Sequence, residues 1–118
     1  MLIGLLASAN LQAAIIQVNP SMSLQSVLDN AQAGDTIQLA SGEYAGKIII
    51  NKPLILEGSP DRKAHIKGDR TGRTITVSAP NVTLRQLTIT HSGLSLPDMD
   101  AGIFLDKNAA HAHIYNNN

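Results

Sequence analysis

Residues 47–58, KIIINKPLILEG, hold two short apolar alternations around a proline-marked turn, Ile48 with Ile50 and then Leu54 with Leu56. Apolar residues at every second position are the pattern of a strand with one buried face. The arrangement returns at residues 74–87, TITVSAPNVTLRQL, with Ile75/Val77 and Val82/Leu84. It returns again at residues 102–117, GIFLDKNAAHAHIYNN, with Ile103/Leu105 and Ala112/Ile114. The first pairs are 27 and 28 positions apart (48 to 75, 75 to 103), and the second pairs 28 and 30 (54 to 82, 82 to 112). Constant strands joined by turns of variable length produce this drift. Short strands repeating at this period with no helix between them predict an all-β solenoid, a parallel β-helix in which each repeat is one coil.

The physical reason is backbone pairing. Each strand stacks on its equivalent in the next coil about 4.8 Å away, so that alternate side chains form inward columns. Ile48, Ile75 and Ile103 make one column, and Leu54, Val82 and Ala112 another. A buried Ile or Leu contributes about 1.5–3 kcal/mol, which lets a chain with one Phe, two Tyr and no Trp build a core. Two further pieces, HIKG around Ile66 and LTIT with Leu87 and Ile89, supply a third face of the coil, and Gly58, Gly68, Gly72, Gly93 and Gly102 with Pro60, Pro80 and Pro97 punctuate its corners.

The one helical signal precedes these repeats. Leu24, Val27, Leu28 and Ala31 fall at i, i+3, i+4 and i+7, with Ser21 or Ser23 as N-cap and Gly34 placed to end the helix in the left-handed conformation. This short amphipathic helix is expected to cap the apolar end of the solenoid. The expected organisation is therefore a cap over residues 15–46 and about three coils over 47–118, incomplete at the C-terminus. Residues 1–14, MLIGLLASANLQAA, are an apolar run ending in small residues and are expected to be a secretory signal peptide lacking its basic n-region, cut at Ala13 or Ala14. It is too short to span a bilayer. A buried strand or helix is the alternative there; the export reading places the protein in the periplasm.

Composition narrows the functional classes. Nine basic side chains balance nine acidic ones, so no positive field exists to attract nucleic acid. The absence of cysteine excludes disulfides and thiolate metal sites.

With these elements in place, residues 24–58, LQSVLDNAQAGDTIQLASGEYAGKIIINKPLILEG, resemble the N-terminal cap and first coil of right-handed, single-stranded parallel β-helix proteins of the carbohydrate-binding and sugar-hydrolase (CASH) type. That architecture serves lyases, epimerases and non-enzymatic proteins alike. Residues 68–117, above all TITHSGLSLPDMDAGIFL, resemble the NosD family of periplasmic nitrous oxide reductase maturation proteins, of which this chain would be the first part. The resemblance implies a non-catalytic accessory of denitrification that assists copper-site assembly in nitrous oxide reductase. Its implied partners are the membrane and ATPase components of an ABC transporter, and the reductase or a copper chaperone.

The candidate chemistry is sparse. Glu43, Glu57, Asp61, Asp69, Asp98, Asp100 and Asp106 mostly fall at turns and form no column at equal offset, as an exported carbohydrate lyase, hydrolase or epimerase, the competing reading, would need. Asp98 and Asp100 come nearest to a pair, in a loop where Asp more often serves the turn. Without cysteine, imidazole and thioether are the available copper donors. His91 and Met99 share the long loop between Thr90 and Gly102 and could bind copper transiently. His111 and His113 flank inward Ala112 and are expected to point outward together, about 7 Å apart, whereas a two-ligand pair is weak and a solvated face is its simpler reading. No catalytic residue is assigned, and His65 is expected on the surface.

Overall fold

A computed structural model describes residues 13–118; all of the expected signal peptide except Ala13 and Ala14 lies outside the described residues. Eleven strands and one helix follow in order: β1 (Ile15–Val18), α1 (Leu24–Asn30), β2 (Thr36–Leu39), β3 (Gly42–Ala45), β4 (Ile48–Ile50), β5 (Ile55–Glu57), β6 (Ala64–Lys67), β7 (Ile75–Val77), β8 (Thr83–Arg85), β9 (Thr88–Thr90), β10 (Ile103–Leu105) and β11 (His113–Tyr115). They form three parallel sheets, ordered β1-β2-β5-β8-β11 (sheet I), β3-β6-β9 (sheet II) and β4-β7-β10 (sheet III). From β2 onward the chain visits sheets I, II and III in strict rotation, so from β5 onward each strand pairs with the one three strands earlier.

The register is the one the apolar columns require. Ile48 pairs with Ile75 and Ile75 with Ile103, while Leu56 pairs with Leu84 and Leu84 with Ile114. Ile37, Leu56, Ile66, Ile75, Val77, Val82, Leu84 and Leu87 are fully buried and meet in one core between the sheets. The column thins toward β11, where Ile114 is 39% exposed against 0% for Leu84 directly beneath it.

Two glycines show how closely successive circuits approach. A Cβ on Gly58 would lie 2.1 Å from the Gln86 carbonyl oxygen, and one on Gly68 2.4 Å from that of His91. Any side chain there would push one circuit's backbone away from the next.

Ser23 caps α1, its hydroxyl accepting from the Ser26 N–H. The helix ends at Asn30 with Ala31 already extended, so Gly34 does not terminate it. Gly34, at φ +92°, instead turns the chain into β2 and donates to the Pro53 carbonyl. The reason lies in Asp35, whose carboxylate accepts from the N–H groups of Gln32 and Ala14 and so holds the intervening turn. Helix α1 lies along the free edge of β4. The Gln25 side-chain amide donates to the Ile49 carbonyl and accepts from the Ile49 N–H, as a neighbouring strand would. Lys52 closes the other end by donating to the carbonyls of Asp29 and Ala31.

Leu84→Ala removes a fully buried side chain from the middle of this column. It is expected to cost about 2–5 kcal/mol, read as a lowered urea midpoint at unchanged slope. Ile114→Ala, at the thinner end, should cost well under half as much.

Candidate functional site

The corners joining sheet II to sheet III lengthen with each circuit, from two residues (46–47) to seven (68–74) to twelve (91–102). They lie beside one another, with Gly46 donating to Lys67, Gly68 to Thr90 and Gly93 to Gly72 through backbone bonds. Between the long corners and sheet III's outer face lies a cleft of about 760 Å³, lined by Lys47, Ile49, Arg70, Arg73, Leu94 and Asp98 among others. The guanidinium of Arg73 lies 3.6 Å above the centre of the Phe104 ring and donates to the carbonyls of Met99 and Asp98.

The twelve-residue corner is braced from within. Asp100 accepts from the Ser95 N–H at 2.9 Å, the Ser95 hydroxyl donates to Asp98, and the Met99 N–H bonds back to Leu96. These carboxylates are occupied in shaping their own loop, the turn role expected for them. The bracing holds Leu94 and Leu96 at 95% and 86% exposure, with Met99 exposed beside them. Three large apolar side chains held outward by a hydrogen-bonded loop are suited to contact another surface.

The four candidate copper ligands fall in different places. Met99, at φ +56°, is at the tip of the braced loop, while His91 is at its root, half-buried at φ +63°. His113 opens β11, but His111 lies in the preceding turn at φ +59°, as does its counterpart Asn81 one circuit earlier. The expectation that both imidazoles share one strand face assumed extended backbone at His111, and the left-handed residue breaks that alternation. Among the described residues no three His, Asp or Glu side chains converge as a metal cage.

The structure instead pairs His91 with His65, which is half-buried rather than fully on the surface. His65 Nε2 lies 2.5 Å and His91 Nδ1 2.6 Å from the Thr90 hydroxyl oxygen, and the ring centres are 6.4 Å apart. Desolvation pushes the His91 pKa down, Arg70, Lys67 and His65 reinforce it, and Glu43 opposes it. The pair was legible in principle. His65 is on β6 and Thr90 on the adjacent β9, so the repeat itself brings them together.

A second missed constellation crosses sheet I. Gln17, Gln38, Glu57, Arg85 and Tyr115 occupy successive register positions on all five strands. Gln17 donates to Gln38, Gln38 to Glu57, and Arg85 reaches Glu57 through Nε at 2.7 Å and Nη2 at 2.5 Å while donating to the Tyr115 hydroxyl. The hydrogen bonds Arg85 donates to Tyr115 and then to Glu57 push its pKa up. Glu57 and Arg85 are one period apart, and that offset was the available signal. Both carboxylate oxygens of Glu57 are engaged, so the row joins strands and offers no free acid or base.

The chain is similar to two curated proteins, each described as a probable ABC transporter binding protein NosD. It is 34% identical over 79 residues to that of Pseudomonas aeruginosa, covering 67% of this chain, and 34% identical over 80 residues to that of Stutzerimonas stutzeri, covering 68%. The match spans 18% of the length of either relative. No family model matches the chain, and no solved structure matches it significantly.

Removing Arg85 alone would strand a largely buried carboxylate. Arg85→Ala is expected to destabilise by about 2–3 kcal/mol, below the figure for a fully buried pair because Arg85 is partly solvated. Adding Glu57→Gln should recover part of the loss, read as a double-mutant cycle in urea. His91 has a lowered folded pKa, so below about pH 6.5 the unfolded chain binds the extra proton and the native one resists it. Stability should therefore fall as pH drops from about 6.5 through the folded value. That slope should flatten in His91→Asn, which tolerates positive φ.

Proposed function

We propose that this chain is a NosD-like accessory protein, a length of right-handed parallel β-helix that works in the periplasm beside an ABC transporter in copper-site assembly of nitrous oxide reductase. The observation that carries the reading is the 34% identity over about two thirds of the chain to two proteins described as ABC transporter binding proteins. The strict rotation of strands among three parallel sheets supports the solenoid, and the general handedness of parallel crossovers supports its right-handed sense. On this reading α1 is the cap of the solenoid, residues 1–14 direct export, and the braced loop carrying Leu94, Leu96 and Met99 is the contact surface for a protein partner. The role is one of binding, with catalysis left to the partners.

The test is deletion of the gene in a denitrifying host, with nitrous oxide reductase purified anaerobically and its copper measured by mass spectrometry. Depleted copper in the deletion, restored by the wild-type gene, is expected; a full complement without the protein would overturn the proposal. Complementation with Leu94→Ser/Leu96→Ser should restore copper less well than wild type. The tagged double variant should also recover less of the transporter's membrane and ATPase components from detergent extracts. Release of unsaturated sugars from uronic-acid polymers by the purified protein would favour the carbohydrate-enzyme alternative instead.

A further inference from the structure

Alternate residues of each strand face outward, and in two of the three sheets those outward rows are polar. Sheet I carries Gln17, Gln38, Glu57, Arg85 and Tyr115, and sheet II carries Glu43, His65 and Thr88. Sheet III departs from this, because its outward register row is Ile49, Thr76 and Phe104, the chain's one phenylalanine. Ile49 is 50% exposed and borders the same cleft as Leu94 of the overhanging twelve-residue corner. The ladder itself asks only for a strand former there, and a threonine, as at Thr76, would serve it in water. The cleft also gathers cations without carboxylate partners. Lys47, Lys67 and Arg85 each form an ion pair, whereas among the described residues Arg70 and Arg73 form none. The Phe104 ring and the Met99 and Asp98 carbonyls fix the Arg73 guanidinium in place without neutralising it. Asp98 and Asp100 border the cleft as well, but their carboxylates accept from Ser95 within their own loop.

We infer that this face docks a short, extended, acidic segment of a protein partner, with an apolar side chain against Ile49 and Leu94 and a carboxylate on Arg70 and Arg73. The inference rests on the braced loop being a contact surface for a protein, and it adds the chemistry of what that surface meets. An apolar row beside two uncompensated guanidiniums calls for an apolar side chain flanked by Asp or Glu, since charge-assisted bonds to Arg are among the stronger polar contacts. The row from Ile49 to Phe104 spans about 10 Å over two strand spacings, the length of about three extended residues. An open cleft covers too little of a small molecule to hold it, whereas a protein segment gains further contact from Leu96 and Met99 beside the cleft. A polyanion or an anionic bilayer fits less well, because Asp98 and Asp100 stand at the same cleft and the chain carries no net charge.

The test is an amide NMR titration of the isotope-labelled full chain, which needs no variant to fold. It is separate from the copper measurement, so failure of either leaves the other standing. The probe peptide GDELDEG should produce saturable shifts at Ile49, Arg70, Arg73, Thr76 and Leu94. The basic peptide GKKLKKG and the leucine-free GDEGDEG should each bind at least about threefold more weakly, the scale of exposed charge pairs or of a partly buried leucine. Arg70→Gln and Ile49→Thr, both at exposed side chains, should each weaken GDELDEG about two- to fivefold with little change in the urea midpoint. Absence of a saturable shift with GDELDEG, shifts confined to other faces, or equal binding of the three peptides would overturn the inference. So would sedimentation of the chain with phosphatidylglycerol vesicles that GDELDEG does not compete away, which would assign the face to a membrane.

Discussion

Every strand from β2 onward takes its hydrogen bonds from a strand one whole circuit away, and this pairing governs the rest of the structure. A strand of three or four residues has too few local contacts to be stable, so it persists only where its neighbours in register persist. A one-residue slip would turn Ile75 and Val77 outward and put Thr76 into the core. The apolar columns and the backbone ladder therefore enforce each other. The glycines at Gly58 and Gly68 follow from the same closeness, since the next circuit's carbonyl occupies the space a side chain would need.

Uniform strands leave variation to the corners, where a functional surface can grow without disturbing the ladder. The sheet II to sheet III corner does so, and the cleft, the exposed Leu94 and Leu96, the Arg73–Phe104 contact and the His65–Thr90–His91 cluster all gather along it. Sheet I behaves differently. Its outer row from Gln17 to Tyr115 is closed by internal hydrogen bonds, which makes it a seam across strands.

Strand positions and register were legible because alternation and period depend on few residues, and the helix was legible from Leu24, Val27, Leu28 and Ala31. The end of that helix was misplaced because Gly34 looks like a terminator, while Asp35 sets the turn by bonds that no local pattern reveals. His111 was misread because alternation presumes extended backbone, and a left-handed residue there resets the count. The final asparagines serve the edge of the sheets. The Asn117 side chain accepts from the Leu87 N–H and donates to the Leu84 carbonyl, and the Asn118 carbonyl accepts from the Ile89 N–H. The Glu57–Arg85 contact required adding one circuit's offset to polar positions as well as to apolar ones, and the His65–Thr90 contact is a diagonal one, two residues beyond His65's register partner Thr88.

The pairing of strands a full circuit apart is tested most directly by cysteine cross-linking, which the cysteine-free chain makes unambiguous. Ile49 and Thr76 are register partners on the outer face of sheet III, whereas Val77 beside Thr76 points into the core. Under mild oxidation Ile49→Cys/Thr76→Cys should form an intramolecular disulfide rapidly and raise the unfolding temperature, while Ile49→Cys/Val77→Cys should not. Equal rates for the two pairs, or no cross-link in the first, would contradict the parallel register on which the account rests.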